Sequence, residues 1–138
     1  MKKKRAAICA LFVLGAVGAG VGVIHAQQAT APTENKGLSV KSLTAVDLGP
    51  EIEGMAGRQL RMRLIVIEPG GILALHNHKD RPATDYVLRG SLIDHRGDTE
   101  KEYKAGDSIF ETKEVTHWLE NRGTVPVEFV SIDVFKTQ

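Results

Sequence analysis

From Leu38 onward the chain alternates apolar and polar residues in short runs separated by turns. Residues 38–40 and 43–45 are brief alternating pieces. Residues 58–68 read RQLRMRLIVIE, which puts Leu60, Met62, Leu64 and Val66 on one face of a strand. Pro69-Gly70-Gly71 marks a turn, and residues 72–78 form the next strand. Residues 86–95 (YVLRGSLIDH) predict a third strand with a bend or bulge at Gly90. Shorter strands follow over 100–104, 108–112 and 116–120, with a turn at 105–107. Asn121-Arg122-Gly123 is a tight turn, and 125–135 (VPVEFVSIDVF) closes the chain. No stretch after residue 37 keeps a 3.6-residue period over a helical length. Many short strands at close spacing predict an all-β protein, an antiparallel sandwich or barrel.

The segment ahead of this pattern is different in kind. Met1-Lys2-Lys3-Lys4-Arg5 is positively charged, residues 6–24 carry no charge, and Ile24-His25-Ala26 precedes Gln27-Gln28. This is the layout of a secretory signal peptide over residues 1–26, cut after Ala26. The apolar run is also about long enough to span a bilayer, but its Gly and Ala content and the adjoining cleavage site favour removal. Residues 27–37 read as a flexible linker and 38–138 as one domain. A periplasmic or secreted protein is expected.

Composition matters once the leader is set aside. The full chain has 138 residues and a formal charge of +1. Without Lys2, Lys3, Lys4 and Arg5 the charge becomes about −3, so nucleic acid and, after cleavage, the membrane are not expected partners. The single cysteine, Cys9, lies in the leader. Disulfides and thiolate chemistry are thereby excluded, and a metal would be held by N and O ligands.

His76-Asn77-His78 carries the candidate chemistry. Residues i and i+2 of a strand share a face, about 7 Å apart along the backbone, so two imidazoles can converge on one ion. His117 is far enough along the chain to arrive on a neighbouring strand. Such histidines can also be interior polar groups satisfied by hydrogen bonds alone.

The spacing of these residues resembles the cupin family. The first cupin motif runs G-x5-H-x-H-x4-E-x6-G. Gly70, His76, His78 and Gly90 match it, while Ala83 stands at the glutamate position. The second runs G-x5-P-x-G-x2-H-x3-N. Gly106, His117 and Asn121 match it, with Thr112 and Glu114 at the proline and second glycine positions. The resemblance covers residues 40–135 and implies a jelly-roll barrel.

It also implies one divalent transition metal bound by His76, His78 and His117. Imidazole ligands do not distinguish Fe, Mn, Ni, Cu and Zn. Ala83 cannot ligate, so a three-histidine centre with open positions is expected. Asp85, two residues beyond Ala83, is the candidate fourth ligand or hydrogen-bond acceptor for a ligand histidine; otherwise it is a rim charge paired with Arg81 or Arg89. Ala74 and Leu119 share faces with the histidines and are the candidate pocket wall, whereas Ile72 reads as core. Leu73 and Leu75 fall on the opposite face and, with Trp118, predict a homodimer contact or cover from residues 38–48. His95 lies outside both motifs and reads as a solvated or hydrogen-bonded surface residue.

Two functions fit. One is a metal-dependent enzyme acting on a small organic molecule by oxygenase-like or isomerase-like chemistry. The other is a non-catalytic periplasmic module that binds or senses a metal or small ligand. No residue is assigned a catalytic role by the sequence.

Overall fold

The computed structural model describes residues 30–137, and its regular structure is entirely strand. The strands are β1 (Lys36–Asp47), β2 (Arg58–Asn77), β3 (Ala83–Arg89), β4 (Ser91–Arg96), β5 (Thr99–Lys104), β6 (Ser108–Glu111), β7 (Thr116–Glu120) and β8 (Val127–Lys136). The expected leader lies outside the described residues, as does the start of the expected linker. From Thr30 onward the backbone is tied to β2: Leu75 N donates to Pro32 O at 2.8 Å and Ala74 N to Asn35 Oδ1 at 2.8 Å.

Hydrogen bonding runs β5-β4-β7-β2-β8-β3-β6, with β1 on β2. β2 makes this a barrel. It is one strand of 20 residues, not two, because the expected turn at Pro69-Gly70-Gly71 bends the strand without ending it. Before the bend β2 pairs with β1 and β8; after it, with β7 and, at Lys36↔Ile72, still with the start of β1. One strand therefore serves both arms of a single eight-stranded sheet, which curls into a jelly-roll barrel. Gly90 separates β3 from β4, as its position in the pattern predicts. Its φ is +75°, and a Cβ there would sit 2.8 Å from Pro126 O, so both backbone shape and space demand glycine.

The inward face changes character along the barrel. At one end Ile65, Ile67, Val87, Leu92, Leu119 and Phe129 form a dry core. At the other end the inward positions of β2, β8, β3 and β6 carry Arg63, Ser131, Asp133, Asp85 and Glu111. The apolar alternation of residues 60–66 points outward. Leu60, Tyr86 and Phe110 on that outer surface are 42%, 51% and 69% exposed.

Asn121 pins the bend. Gly70 N donates to Asn121 O at 2.9 Å and Asn121 N to Gly71 O at 3.1 Å. The buried side chain donates from Nδ2 to Ile67 O and Val125 O at 2.9 and 2.8 Å, and its Oδ1 accepts from Gly123 N at 2.8 Å. Asn121→Ala leaves these backbone groups without that partner. It is expected to lower the unfolding free energy by about 3 kcal/mol, read as a lower urea midpoint at unchanged m-value.

Candidate metal centre

His76, His78 and His117 meet inside the barrel mouth. The β2–β7 register sets His76 directly opposite His117. The Nε2 atoms of His78 and His76 each lie 3.1 Å from His117 Nε2, and the three can be grouped within 4.8 Å.

The outward-facing nitrogens explain what this convergence means. His76 Nδ1 is 2.8 Å from Ala74 O, His78 Nδ1 is 3.1 Å from Arg81 O, and His117 Nδ1 is 2.8 Å from Asp94 Oδ1. Each of these oxygens is an acceptor, which assigns the ring hydrogen to Nδ1. Every Nε2 then presents a lone pair, and three lone pairs aimed at one another repel unless a cation lies between them. Burial reinforces this by pushing His76 and His78 down to about 4, so both rings are neutral donors near pH 7. Two nitrogens about 2.1 Å from one ion and at right angles to each other sit about 3.0 Å apart. The donor set therefore fits a divalent transition metal.

A carboxylate joins the group from a position the sequence reading missed. Glu111 Oε2 is 3.3 Å from His78 Nε2, and Oε1 is 3.3 Å from His117 Nε2. Glu111 on β6 is the cross-strand partner of Ala83 on β3, and such partners share a face. The carboxylate missing at Ala83 is thus supplied one strand away. Glu111 is buried, and burial followed by the charge of nearby Asp85 raises its pKa. Burial likewise raises Asp85, which hydrogen-bonds to Ser131 and Glu111. Asp85 is an interior residue beside Glu111, not a rim charge; Arg89 pairs with Glu128 instead.

Asp94 was also missed. Its Oδ2 accepts from Arg96 Nε at 2.8 Å while Oδ1 holds His117. Burial alone would raise Asp94, but the bond to His117 and the Arg96 charge outweigh it and hold it low. It stays an anionic acceptor that orients the ring. Asp94 precedes His95 in β4, and the register His95↔Trp118 brings it beside β7.

The cavity at this centre has a volume of about 300 Å³. Its polar wall includes His76, His78, Glu111, Asp85, Arg63 and Arg81, and its apolar wall includes Ile65, Leu73, Ala74 and Phe129. Ala74 is where the sequence places it. Leu119 belongs to the core, and Leu73 turns inward to pack against that core. The reason is a bulge: between the pairs Leu73↔Leu119 and His76↔His117, β2 spends three steps against two on β7. The extra residue reverses the parity of alternation.

A match to the cupin domain of the Cupin_2 family spans residues 63–133, just over half of the chain. The chain belongs to the cupin family. Among curated relatives of this cupin is the "Oxalate-binding protein" of Thermotoga maritima, 28% identical over 80 residues, covering 58% of this chain and 66% of that one. Another is the "Tetracenomycin polyketide synthase protein TcmJ" of Streptomyces glaucescens, 27% identical over 105 residues, covering 76% and 66%. The matches thus span just under two thirds of those relatives. Among solved structures, the polyketide cyclase RemF from Streptomyces resistomycificus is 19% identical, covering 75% of this chain and 68% of that one at a TM-score of 0.59. That likeness shows the fold.

In this cupin the motif glycines Gly70, Gly90 and Gly106 all have positive φ, and Asn121 serves the bend, so these four are architectural. His95 is hydrogen-bonded, as one of its two expected readings had it, but it is buried and not a solvated surface residue. It stacks on Trp118 with ring centroids 3.5 Å apart and faces Glu120 at 2.8 Å and Glu100 at 3.3 Å. The same stack buries Trp118 within its own chain, so it is not an exposed contact residue. His95, Glu100 and Glu120 are close enough to hold an ion, but Arg122 pairs with both carboxylates and balances their charge.

Asp94→Asn removes the anionic acceptor of His117. It is expected to weaken divalent-metal affinity about 10- to 100-fold with an unchanged far-ultraviolet spectrum, measured by competition against a chromophoric chelator.

Proposed function

We propose that this cupin binds one divalent transition metal through His76, His78 and His117, with Glu111 as a fourth donor, and presents it to a small organic molecule. The observation that carries this reading is the convergence of three Nε2 atoms whose ring hydrogens are committed to Ala74 O, Arg81 O and Asp94. A divalent ion supplies Lewis acidity toward a bound oxygen group. The chain's residues hold and orient the rings, and the apolar wall limits water beside the bound molecule. Oxygenase-like or isomerase-like conversion is the proposed chemistry, and the name of the Streptomyces glaucescens relative, a polyketide synthase protein, supports the choice of an enzyme. The leader-like N-terminus supports export to the periplasm or beyond.

A second reading, a non-catalytic binding module, is favoured by the name of the Thermotoga relative. Turnover separates the two. Oxygen uptake or product formation with a small organic substrate, abolished in His76→Ala, is the expected result. Stoichiometric metal and ligand without turnover across a broad panel would establish the binder.

Elemental analysis of protein purified without a metal-binding tag is expected to give close to one metal per chain. His117→Ala should retain about tenfold less or lower. Wild-type content far below one per chain, not refilled by Fe, Mn, Ni or Zn, would refute the reading.

We also propose a homodimer. Its support is the small size of the core and the exposed apolar outer surface around Leu60, Tyr86 and Phe110. Light scattering should give twice the chain mass, and Leu60→Lys should shift the population toward the single-chain mass without altering metal content.

A further inference from the structure

The four proposed donors do not stand on equally firm strands. β2 and β7 are interior strands with neighbours on both sides, and they carry His76 and His117. His78 follows β2 directly, and its N donates to Val115 O at 3.0 Å. Glu111 is placed differently. It is the last residue of β6, a strand of four residues that ends the strand order and pairs with β3. Four cross-strand pairs and a bond from Thr84 Oγ1 to Ile109 O at 3.0 Å fix β6 alongside β3. They leave open its distance from the strands that carry the histidines across the barrel mouth. A metal–carboxylate bond of about 2.0–2.2 Å tolerates only a few tenths of an ångström.

Arg96 spans that mouth. It stands on β4, which pairs with β5 and β7 and has no register with β6. Its Nη2 nevertheless donates to Phe110 O at 3.2 Å, and its guanidinium carbon lies 5.9 Å from the centroid of the Phe110 ring. Among the described residues this is the hydrogen bond that reaches β6 from a strand other than β3. The same guanidinium donates from Nε to Asp94 Oδ2 at 2.8 Å, and Asp94 Oδ1 faces His117 Nδ1 at 2.8 Å. A guanidinium is planar and its donors have fixed directions. One rigid group therefore holds the acceptor of His117 and the backbone directly before Glu111 in a single frame.

We propose that Arg96 is a positioning residue of the metal centre, coupling Glu111 to His117 across the seam between β4 and β6. It acts through Asp94 and the Phe110 carbonyl and is not itself a donor to the ion. With Arg96 in place, Glu111 completes a set of three histidines and one carboxylate. Without it, β6 keeps its place beside β3 but not its reach toward β7, and the histidines hold the ion alone. This rests on the four-donor reading above and names the side chain on which the fourth donor depends.

A double-mutant cycle with cobalt(II) as the probe tests it, on the full chain, by competition against a chromophoric chelator. Arg96→Lys keeps a cation beside Asp94, but one compact ammonium cannot also serve the Phe110 carbonyl. It is expected to weaken cobalt(II) binding about tenfold in the otherwise unaltered chain. In a Glu111→Ala chain the same substitution should cost less than about threefold, because the donor it positions is already gone. The visible absorption of cobalt(II) reports its donor set, so the Arg96→Lys spectrum should match that of Glu111→Ala. Arg96→Gln, carried through the same cycle, is the second variant should the lysine form fail to fold, and far-ultraviolet spectra check both. Equal losses in the two backgrounds would assign Arg96 to Asp94 alone and overturn the proposal, as would undiminished affinity in Arg96→Lys. Wild-type protein that takes up no cobalt(II) refutes the metal reading itself, before any variant is compared.

Discussion

Two backbone hydrogen bonds across the bend of β2, Gly70 N to Asn121 O and Asn121 N to Gly71 O, hold the architecture together. They let a single strand turn from one arm of the sheet into the other without losing its pairing. Everything at the barrel mouth depends on that transfer. Arg61 and Arg63 stand on the first arm of β2, and His76 on the second. Were the arms free to splay, the guanidinium row and the histidine pair would not share one cavity. The buried side chain of Asn121 locks the corner further by bonding to Ile67 and Val125. Asn121, which lies outside the group of three histidines, in this way holds together the arms that carry the candidate site.

Above that corner the design is a division of labour along the barrel axis. Phe129, Ile67 and Leu119 fill one end and supply the apolar burial that stabilises the fold. The other end buries charge, which is costly unless each group is paired or hydrogen-bonded. Asp133 is surrounded by three arginines, and Asp94 bridges His117 and Arg96. These contacts offset the desolvation of the carboxylates. They also leave two buried atoms, Arg63 Nε and Asp85 Oδ1, without a hydrogen-bond partner.

Much of this was legible in the sequence, for identifiable reasons. Strand-and-turn patterning gives the all-β class, and the motif spacing gives the barrel, because both are local in the chain. His76, His78 and His117 were legible for the same reason. Glu111 was not, because its role depends on pairing with Ala83, a contact between residues 28 positions apart. One signal was available: in Ser108-Ile109-Phe110-Glu111 the glutamate has the same parity as inward Ile109. Asp94 was overlooked beside His95, the more conspicuous neighbour. The bulge between Leu73 and His76 was invisible, since alternation read through it assigns Leu73 to the wrong side. The alternation at residues 60–66 was real but marks the outside of the barrel, because the inside of that arm carries Arg61 and Arg63.

The stack of His95 on Trp118 has a practical consequence. Trp118 is the only tryptophan in the chain, it is buried, and it follows His117 directly in β7. Its ring centroid lies 3.5 Å from that of the His95 imidazole, with 3° between the two planes. The emission of this protein on excitation at the red edge therefore comes from one ring, next to a histidine of the candidate metal centre and stacked on a second imidazole. The barrel carries a built-in optical reporter of its own mouth, and no label has to be attached to watch that region change.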